Sequence, residues 1–375
     1  MNKRIYLSLA KMSGREQDFI KEAFDTNWVA PLGPNVAGFE KDLEAYFDSG
    51  KHIVALSAGT AAIHLALIQL GVEAGDEVIC QSFTFVASAN PITYLGAKPV
   101  FVGSEPSTWN MSPAILREAI IDRIAVTGKK PKAIIPVHLY GMPARMDEIM
   151  AIADEFEIPV LEDAAEALGS LYKSRPCGTY GEFACLSFNG NKMITTSGGG
   201  ALICPTPEAA QKTLFYATQA RDDAPYYQHS EIGYNYRMSN ISAGIGRGQM
   251  YALDSHIARR RRIHDLYCEL LADAPGITVH CEPDENFNSN YWLTCITVDA
   301  SLAGKSHRDI YSSLNDANVE SRPLWKPLHL QPVFADCPFY GDGTAEKIFR
   351  TGLCLPSGPV LTDEDVYKVV EVIKG

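Results

Sequence analysis

An α/β fold, with a mostly parallel sheet flanked by helices and a smaller α+β unit at the C-terminal end, follows from three features of the sequence. Up to about residue 205, short β-rich runs alternate with segments of helical periodicity, the pattern of a parallel sheet covered on both faces. Beyond about residue 240 a long helical stretch gives way to a mixture of strands and helices. The 375 residues are 46% hydrophobic and 21% charged, an ordinary globular balance in a chain long enough to bury a large core. Two units are expected, a large one over 1–241 and a smaller one over 242–375.

The elements read in order. Ser13 with Glu16 has capping-box spacing and precedes Phe19, Ile20, Ala23 and Phe24 on one helical face. Val36, Phe39, Leu43 and Phe47 mark a second helix, and His52–Leu56 a strand. Thr60–Leu70 reads as a helix closed by Gly71. Further strands read at Glu77–Cys80, Pro99–Val102, Ala133–Val137, Val160–Glu162, Cys185–Phe188 and Ala201–Cys204. A helix over Met146–Phe156 carries Met146, Ile149, Met150 and Ala153 on one side. The second unit opens on a helical stretch from Ser242 to Leu271, followed by strands at Ile277–His280 and Leu293–Val298 and helices near Arg308–Leu314 and Thr362–Ile373. In a parallel sheet the functional groups gather at the carboxyl ends of the strands.

The net charge of −12 argues against a nucleic-acid partner, although a pocket can be locally positive inside an acidic protein. The start, MNKRIYLSLAKMSG, has no apolar run of signal-peptide length. No stretch approaches the ~20 apolar residues of a membrane helix. A cytoplasmic protein without membrane contact is expected. The nine cysteines are scattered without a CxxC pair, so reduced thiols are expected, with neither a disulfide framework nor a metal site. The run Arg259–Arg262 reads as a solvated helix face.

Three segments at strand ends carry chemistry. Ser57-Ala58-Gly59-Thr60 joins a strand to a helix. A glycine there admits an anion to the backbone, the helix N-terminus offers N–H groups, and Thr60 adds a hydroxyl. Leu161-Glu162-Asp163-Ala164-Ala165-Glu166 is an apolar strand ending in acid; such a carboxylate can pair with the protonated ring nitrogen of a pyridine-type cofactor, or simply cap a helix. Ser187-Phe188-Asn189-Gly190-Asn191-Lys192 sets a lysine between a strand and the glycines 198–200. A lysine in such a place can have its pKa lowered and attack a carbonyl. The glycine triplet reads as a tight turn before the next strand.

Phosphate site, aspartate, lysine is the order found in fold-type I pyridoxal-phosphate (PLP) enzymes of the aspartate-aminotransferase type. The chain resembles the nucleotide-sugar aminotransferases over nearly all its length. The matching segments are Gln81-Ser82-Phe83-Thr84-Phe85, His138-Leu139-Tyr140-Gly141, Asn189-Gly190-Asn191-Lys192, Thr218-Gln219-Ala220-Arg221, Gly233-Tyr234-Asn235-Tyr236-Arg237 and Arg322-Pro323-Leu324-Trp325-Lys326. The resemblance is nearest to the bacillosamine-pathway branch, which aminates a UDP-linked 4-keto-6-deoxy-N-acetylglucosamine.

The resemblance implies roles. Lys192 would bind PLP covalently and shuttle the proton. Asp163 would hold the pyridine nitrogen protonated, and Phe85 would stack on the ring. Gly59, Thr60 and Ser187 would hold the phosphate, joined by Asn235 from a neighbouring subunit, so that a homodimer shares its sites. Glu166 stands near the cofactor's 3-oxygen, where Gln or His is frequent in the wider family. Like-charge repulsion from Asp163 implies that it is protonated or engaged elsewhere. Arg237, Arg322 and His329 are candidates for the sugar or its diphosphate. The expected reaction moves an amino group from L-glutamate to the C4 ketone of the nucleotide sugar. Related sugar dehydratases carry His where this chain has Lys192. Alternatives are a GDP-perosamine-type or C3-aminating enzyme, or a non-catalytic regulatory relative.

Overall fold

The computed structural model describes residues 4–375. Its main sheet runs in the spatial order His52–Leu56, Gly200–Cys204, Phe183–Ser187, Leu161–Asp163, Ala133–Ile135, Glu77–Gln81, Lys98–Val102 and Phe339–Tyr340. The join between Leu161–Asp163 and Ala133–Ile135 is made by the parallel bridges Ile134–Val160 and Val137–Asp163. Neighbours are parallel throughout except at Gly200–Cys204, which runs antiparallel to both its neighbours. This is the fold class the sequence implies.

Most strands are buried along nearly their whole length, which explains their near-continuous apolar runs. The helix Gly59–Gln69 is buried from Ala61 to Leu67 and so is apolar all round rather than striped. The helix Met146–Phe156 lies nearer solvent and is striped, with Met146, Ile149, Ile152 and Ala153 buried.

Beyond residue 276 a second sheet is wholly antiparallel, in the order Ile277–Val279, Thr294–Val298, Gly352–Leu355, Arg322–Pro323. Helices Leu253–Leu271, His307–Asp316 and Asp363–Lys374 pack on it through Leu266, Tyr267, Ile310, Leu314, Val366 and Val370. The chain also interleaves. Ile5 bridges to Val319 and is buried in this second core, while Phe339–Tyr340 extends the main sheet. On the two separate sheets and cores we propose the division into a large N-terminal and a small C-terminal unit.

Three local expectations are corrected. The helical stretch 242–271 is two helices, Asn240–Met250 and Leu253–Leu271. The first packs on Glu16–Asp25 so closely that a Cβ on Gly248 would lie 2.7 Å from the Glu16 backbone. The capping box is half formed. Glu16 accepts from the Ser13 and Gly14 N–H groups at 2.7 and 3.0 Å, but Ser13 Oγ accepts from Arg15 instead of completing the reciprocal bond. The arginine run is not a solvated face: Arg260 is among the most deeply buried side chains. Its guanidinium donates to the carbonyls of Trp292 and Ser357 and to Ser8 Oγ. Charge patterning shows the polarity of a helix face but not the carbonyl oxygens that the fold brings to it.

Candidate active site

The carboxyl ends of His52–Leu56, Leu161–Asp163 and Phe183–Ser187 open onto a cleft of about 700 Å3. Gly59, Thr60, Phe85, Asp163, Glu166, Ser187, Lys192 and Arg322 all line it. A larger depression of about 1160 Å3 on the C-terminal unit, edged by Thr278, His307 and Arg350, holds none of them.

One wall is the start of the helix Gly59–Gln69. Its N-cap, Ala58, is extended and has no capping side chain. The first turn therefore presents N–H groups and a partial positive charge to the cleft. Ser187 lies beside it, its Cβ 3.3 Å from the position a Cβ on Gly59 would take. Uncapped N–H groups flanked by the Thr60 and Ser187 hydroxyls make an anion cradle.

The glycine triplet behind this wall serves close approach rather than the expected turn. The positive φ falls on Ser197, at 71°, and none of the three glycines takes one. A Cβ on Gly200 would sit 2.3 Å from Gly59 N and 2.4 Å from the Ala58 carbonyl carbon. Both are backbone atoms that cannot step aside. Gly200→Ala is expected to lose about 1–3 kcal/mol of stability and to weaken cofactor binding more than about tenfold by displacing the cradle. Thermal melts and cofactor titrations check this, and unchanged cofactor affinity would refute the cradle assignment.

Asp163 is buried at its strand end with its carboxylate held on three sides. Oδ2 accepts from Ser88 Oγ at 2.6 Å; Oδ1 accepts from Ala165 N–H and from the Cys185 thiol, each at 3.1 Å. Burial, reinforced by Asp163, pushes the Cys185 pKa far up, so the thiol keeps its proton and donates. The strand end is fixed in turn by a buried dyad. Ala144 N–H donates to His138 Nδ1 at 3.0 Å, so the lone pair is on Nδ1 and the ring proton on Nε2. That proton is donated to Glu162 at 3.0 Å, while Gly178 and Gly181 N–H groups hold the same carboxylate.

Lys192 reaches the cleft with its ammonium 4.2 Å above the Trp292 ring and 3.1 Å from Glu166 Oε1. Trp292 is locked by its indole N–H, which donates to Asn191 O at 2.7 Å, and by Arg260 on its carbonyl. The other Glu166 oxygen accepts from Tyr140 N–H at 2.7 Å. Tyr140 sits in the left-handed region at φ 55°, a strained conformation that aims this N–H inward. Its hydroxyl accepts from Trp325 N–H at 3.0 Å. Phe85, 53% exposed, packs 5.5 Å from Trp325, and these rings wall the cleft opposite the sheet.

Burial raises the Glu166 pKa; Asp163 adds to this, while Lys192 and Tyr140 N–H oppose it without cancelling it. The folded chain therefore holds this proton more tightly than the unfolded one. Its contribution to stability is present below the ordinary glutamate range and is lost as pH rises through the raised value. Wild type is thus expected to lose ground to Glu166→Gln as pH rises above the ordinary glutamate range. Urea midpoints for both proteins check the sign; parallel curves would refute it.

The remaining candidates lie outside the cleft. Arg237 is not free for a diphosphate, because it forks onto Glu40, with one of those bonds at 3.2 Å, and donates to Ala55 O at 3.0 Å. His329 is also engaged away from the cleft: its ring nitrogens meet Ser82 Oγ at 2.7 Å and Glu346 at 3.1 Å, and its face stacks on Phe339. Asn235 is exposed on a segment that pairs with Thr218. Arg322 alone of the substrate candidates faces the cleft, at its mouth beside Glu320. Trp292, Ser88 and Cys185 were missed. Trp292 and Ser88 reach the site from segments with no motif of their own, and Cys185 from a strand whose pattern shows burial but not its bond to Asp163.

Residues 11–374 match the model of the DegT/DnrJ/EryC1/StrS aminotransferase family. The chain belongs to this family. It is 50% identical to EpsN of Bacillus subtilis, named as a pyridoxal phosphate-dependent aminotransferase, over 100% of this chain and 96% of that one. It is 35% identical to a GDP-perosamine synthase of Caulobacter vibrioides over 99% and 97% of the two chains. Its fold superposes on the PLP form of Spr1654 from Streptococcus pneumoniae, named as a sugar aminotransferase, with TM-score 0.90, 27% identity and coverage of 99% and 98%. The chain is accordingly a PLP-dependent sugar aminotransferase. The cleft fits the cofactor: an uncapped helix start for a phosphate, a buried carboxylate for a ring nitrogen, and a primary amine facing both into one space. Among the described residues no helix is long and apolar enough to cross a membrane.

Proposed function

We propose that this aminotransferase moves the amino group of L-glutamate to C4 of a nucleotide-linked 4-keto-6-deoxy sugar, UDP-2-acetamido-4-keto-2,6-dideoxyglucose, in cytoplasmic cell-surface glycan synthesis. This is the bacillosamine-pathway reaction. The observation that carries the amine-transfer chemistry is the Lys192 ammonium held between Trp292 and Glu166 in the same cleft as Asp163. The UDP-linked sugar rests on the resemblance of the sequence to that branch.

When bound, PLP supplies the electron sink that stabilises a carbanion. The N–H groups at Gly59 and Thr60, with the Thr60 and Ser187 hydroxyls, hold its phosphate. Asp163, oriented by Ser88 and Ala165, would keep the ring nitrogen protonated, and Phe85 would pack on the ring. Lys192 would hold the cofactor and would be the group that moves the proton. Glu166 and Trp292 hold its ammonium form in the meantime. Arg322 at the mouth meets the diphosphate, where a guanidinium fork matches oxyanions. We place Asn235 in the partner site of a homodimer, a reading supported by the 81% and 82% exposure of the apolar Tyr227 and Ile232 on the same segment.

The deciding experiment incubates the enzyme and glutamate with UDP- and GDP-linked 4-keto-6-deoxy sugars and reads the product by mass and NMR. A C4 amine on the UDP sugar is expected. Turnover of the GDP sugar alone would move the chain to the perosamine type. Turnover of the 3-keto isomer instead of the 4-keto sugar would refute the regiochemistry, and a cofactor spectrum unchanged by glutamate would refute the catalytic reading.

A further inference from the structure

Away from the cleft, the fold brings together three residues that the sequence leaves apart. His264 and Cys268 lie one turn apart on Leu253–Leu271, hence on one face. Cys281 follows the strand Ile277–Val279 packed against that helix. The ligand atoms of all three lie within 4.8 Å of one another. The two sulfurs are 3.5 Å apart, and Cys268 Sγ is 3.7 Å from each ring nitrogen of His264.

We propose that His264, Cys268 and Cys281 form a binding site for a borderline-soft divalent cation of the zinc type. A tetrahedral zinc ion, with Zn–S ~2.3 Å and Zn–N ~2.0–2.1 Å, sets its sulfurs ~3.8 Å apart and sulfur from nitrogen ~3.6 Å. The S–S and Cys268 Sγ–Nδ1 spacings sit close to those edges, and the equal distance to Nε2 means that the Cys268 thiol swings toward the Nδ1 lone pair as the ion binds. The imidazole is also prepared. Nε2–H donates to His280 O at 3.1 Å, leaving the Nδ1 lone pair to bind, the outer-sphere arrangement of a metal-ligating histidine. Tyr291 stacks on the same ring with centroids 3.5 Å apart and fixes its plane. His264 is buried and Cys281 exposed, so the ion enters from solvent and a water completes the tetrahedron. Binding deprotonates both thiols, so one cation displaces two protons and the site stays neutral at the sulfurs. The absence of a CxxC pair concealed it: the ligands come from a helix and from the segment that follows the strand packed on it. Two sulfurs this close could instead be a dithiol couple, and the test separates the two.

Untagged holoenzyme, reduced and stripped with chelator, is titrated with Co2+ and then with Zn2+. One equivalent of cobalt per chain, with the visible d–d bands of a tetrahedral thiolate complex bleached by zinc, is expected. Cys281→Ser, at an exposed position, should abolish those bands and leave transamination unchanged. A His264→Gln variant, checked by its melting curve, should weaken uptake more than tenfold. Wild type without such bands, or Cys281→Ser with the same bands, would overturn the proposal. So would reduced protein that takes up no cobalt yet, with glutathione disulfide as oxidant, forms a Cys268–Cys281 cross-link with loss of two hydrogens and release of reduced glutathione.

Discussion

Lys192→Ala is expected to lower amino transfer at least about 10³-fold while leaving the fold intact. The side chain is mostly buried but at the cleft lip, and its methylene stem fills no core cluster, so truncation creates no large cavity. What disappears is the amine that the cleft sets beside Trp292 and Glu166. Among the described residues no lysine other than Lys192 lines the cleft, so none of them offers a neighbouring amine to take over the proton. Lys192→Arg separates charge from chemistry. It keeps a cation for Glu166 and Trp292 but offers no amine able to join a carbonyl. It should match Lys192→Ala in turnover and wild type in melting temperature. Borohydride treatment of the wild-type holoenzyme should fix the cofactor on the peptide carrying Lys192, and neither variant should show that label. Retention of a tenth of wild-type turnover in Lys192→Ala would remove the residue from the mechanism.

The contrast between Lys192 and Trp292 shows what the sequence makes legible. Lys192 and Asp163 stand out because a charged residue closing or following an apolar strand in a parallel sheet is placed where ligands bind. The backbone register alone then carries both into one cleft. Trp292 lies a hundred positions beyond Lys192 and is set against it by packing of the C-terminal unit, for which no local pattern exists. Tyr140 was visible within a matching segment, but its left-handed backbone and its bond to Glu166 are tertiary facts. Arg237 and His329 lie outside the cleft for the same reason. A cation read from sequence has no partner, whereas the fold supplies Glu40 to one and Ser82 and Glu346 to the other. The long helix failed at Tyr251–Ala252 because helical periodicity persists across the break while the packing partner changes, from the N-terminal helices to the C-terminal sheet.

Asp163→Asn is expected to cost about 3–5 kcal/mol of transition-state stabilisation, a fall in turnover of roughly 10²–10³-fold or more. The shape is nearly unchanged, so the effect isolates charge. The carboxylate accepts from Ser88, Ala165 and Cys185, and these three donors leave a lone pair for the ring nitrogen of the cofactor. An amide presents only one oxygen. Whichever way it turns, its NH2 faces the Ser88 hydroxyl or the Ala165 N–H. Without the negative charge the ring nitrogen gives up its proton at lower pH, and the electron sink weakens in proportion. The direction is fixed by linkage: an anion beside a cation raises the pKa of the cation, so removing it moves the titration of the bound cofactor to lower pH. Ser88→Ala leaves the charge and removes one orienting bond. It should cost about 1.5–3 kcal/mol without moving that titration, the behaviour of a positioning residue. Turnover with glutamate and the pH dependence of the cofactor spectrum measure both. An Asp163→Asn enzyme within tenfold of wild type, with its cofactor titration unmoved, would show that the ring nitrogen is held by some other group.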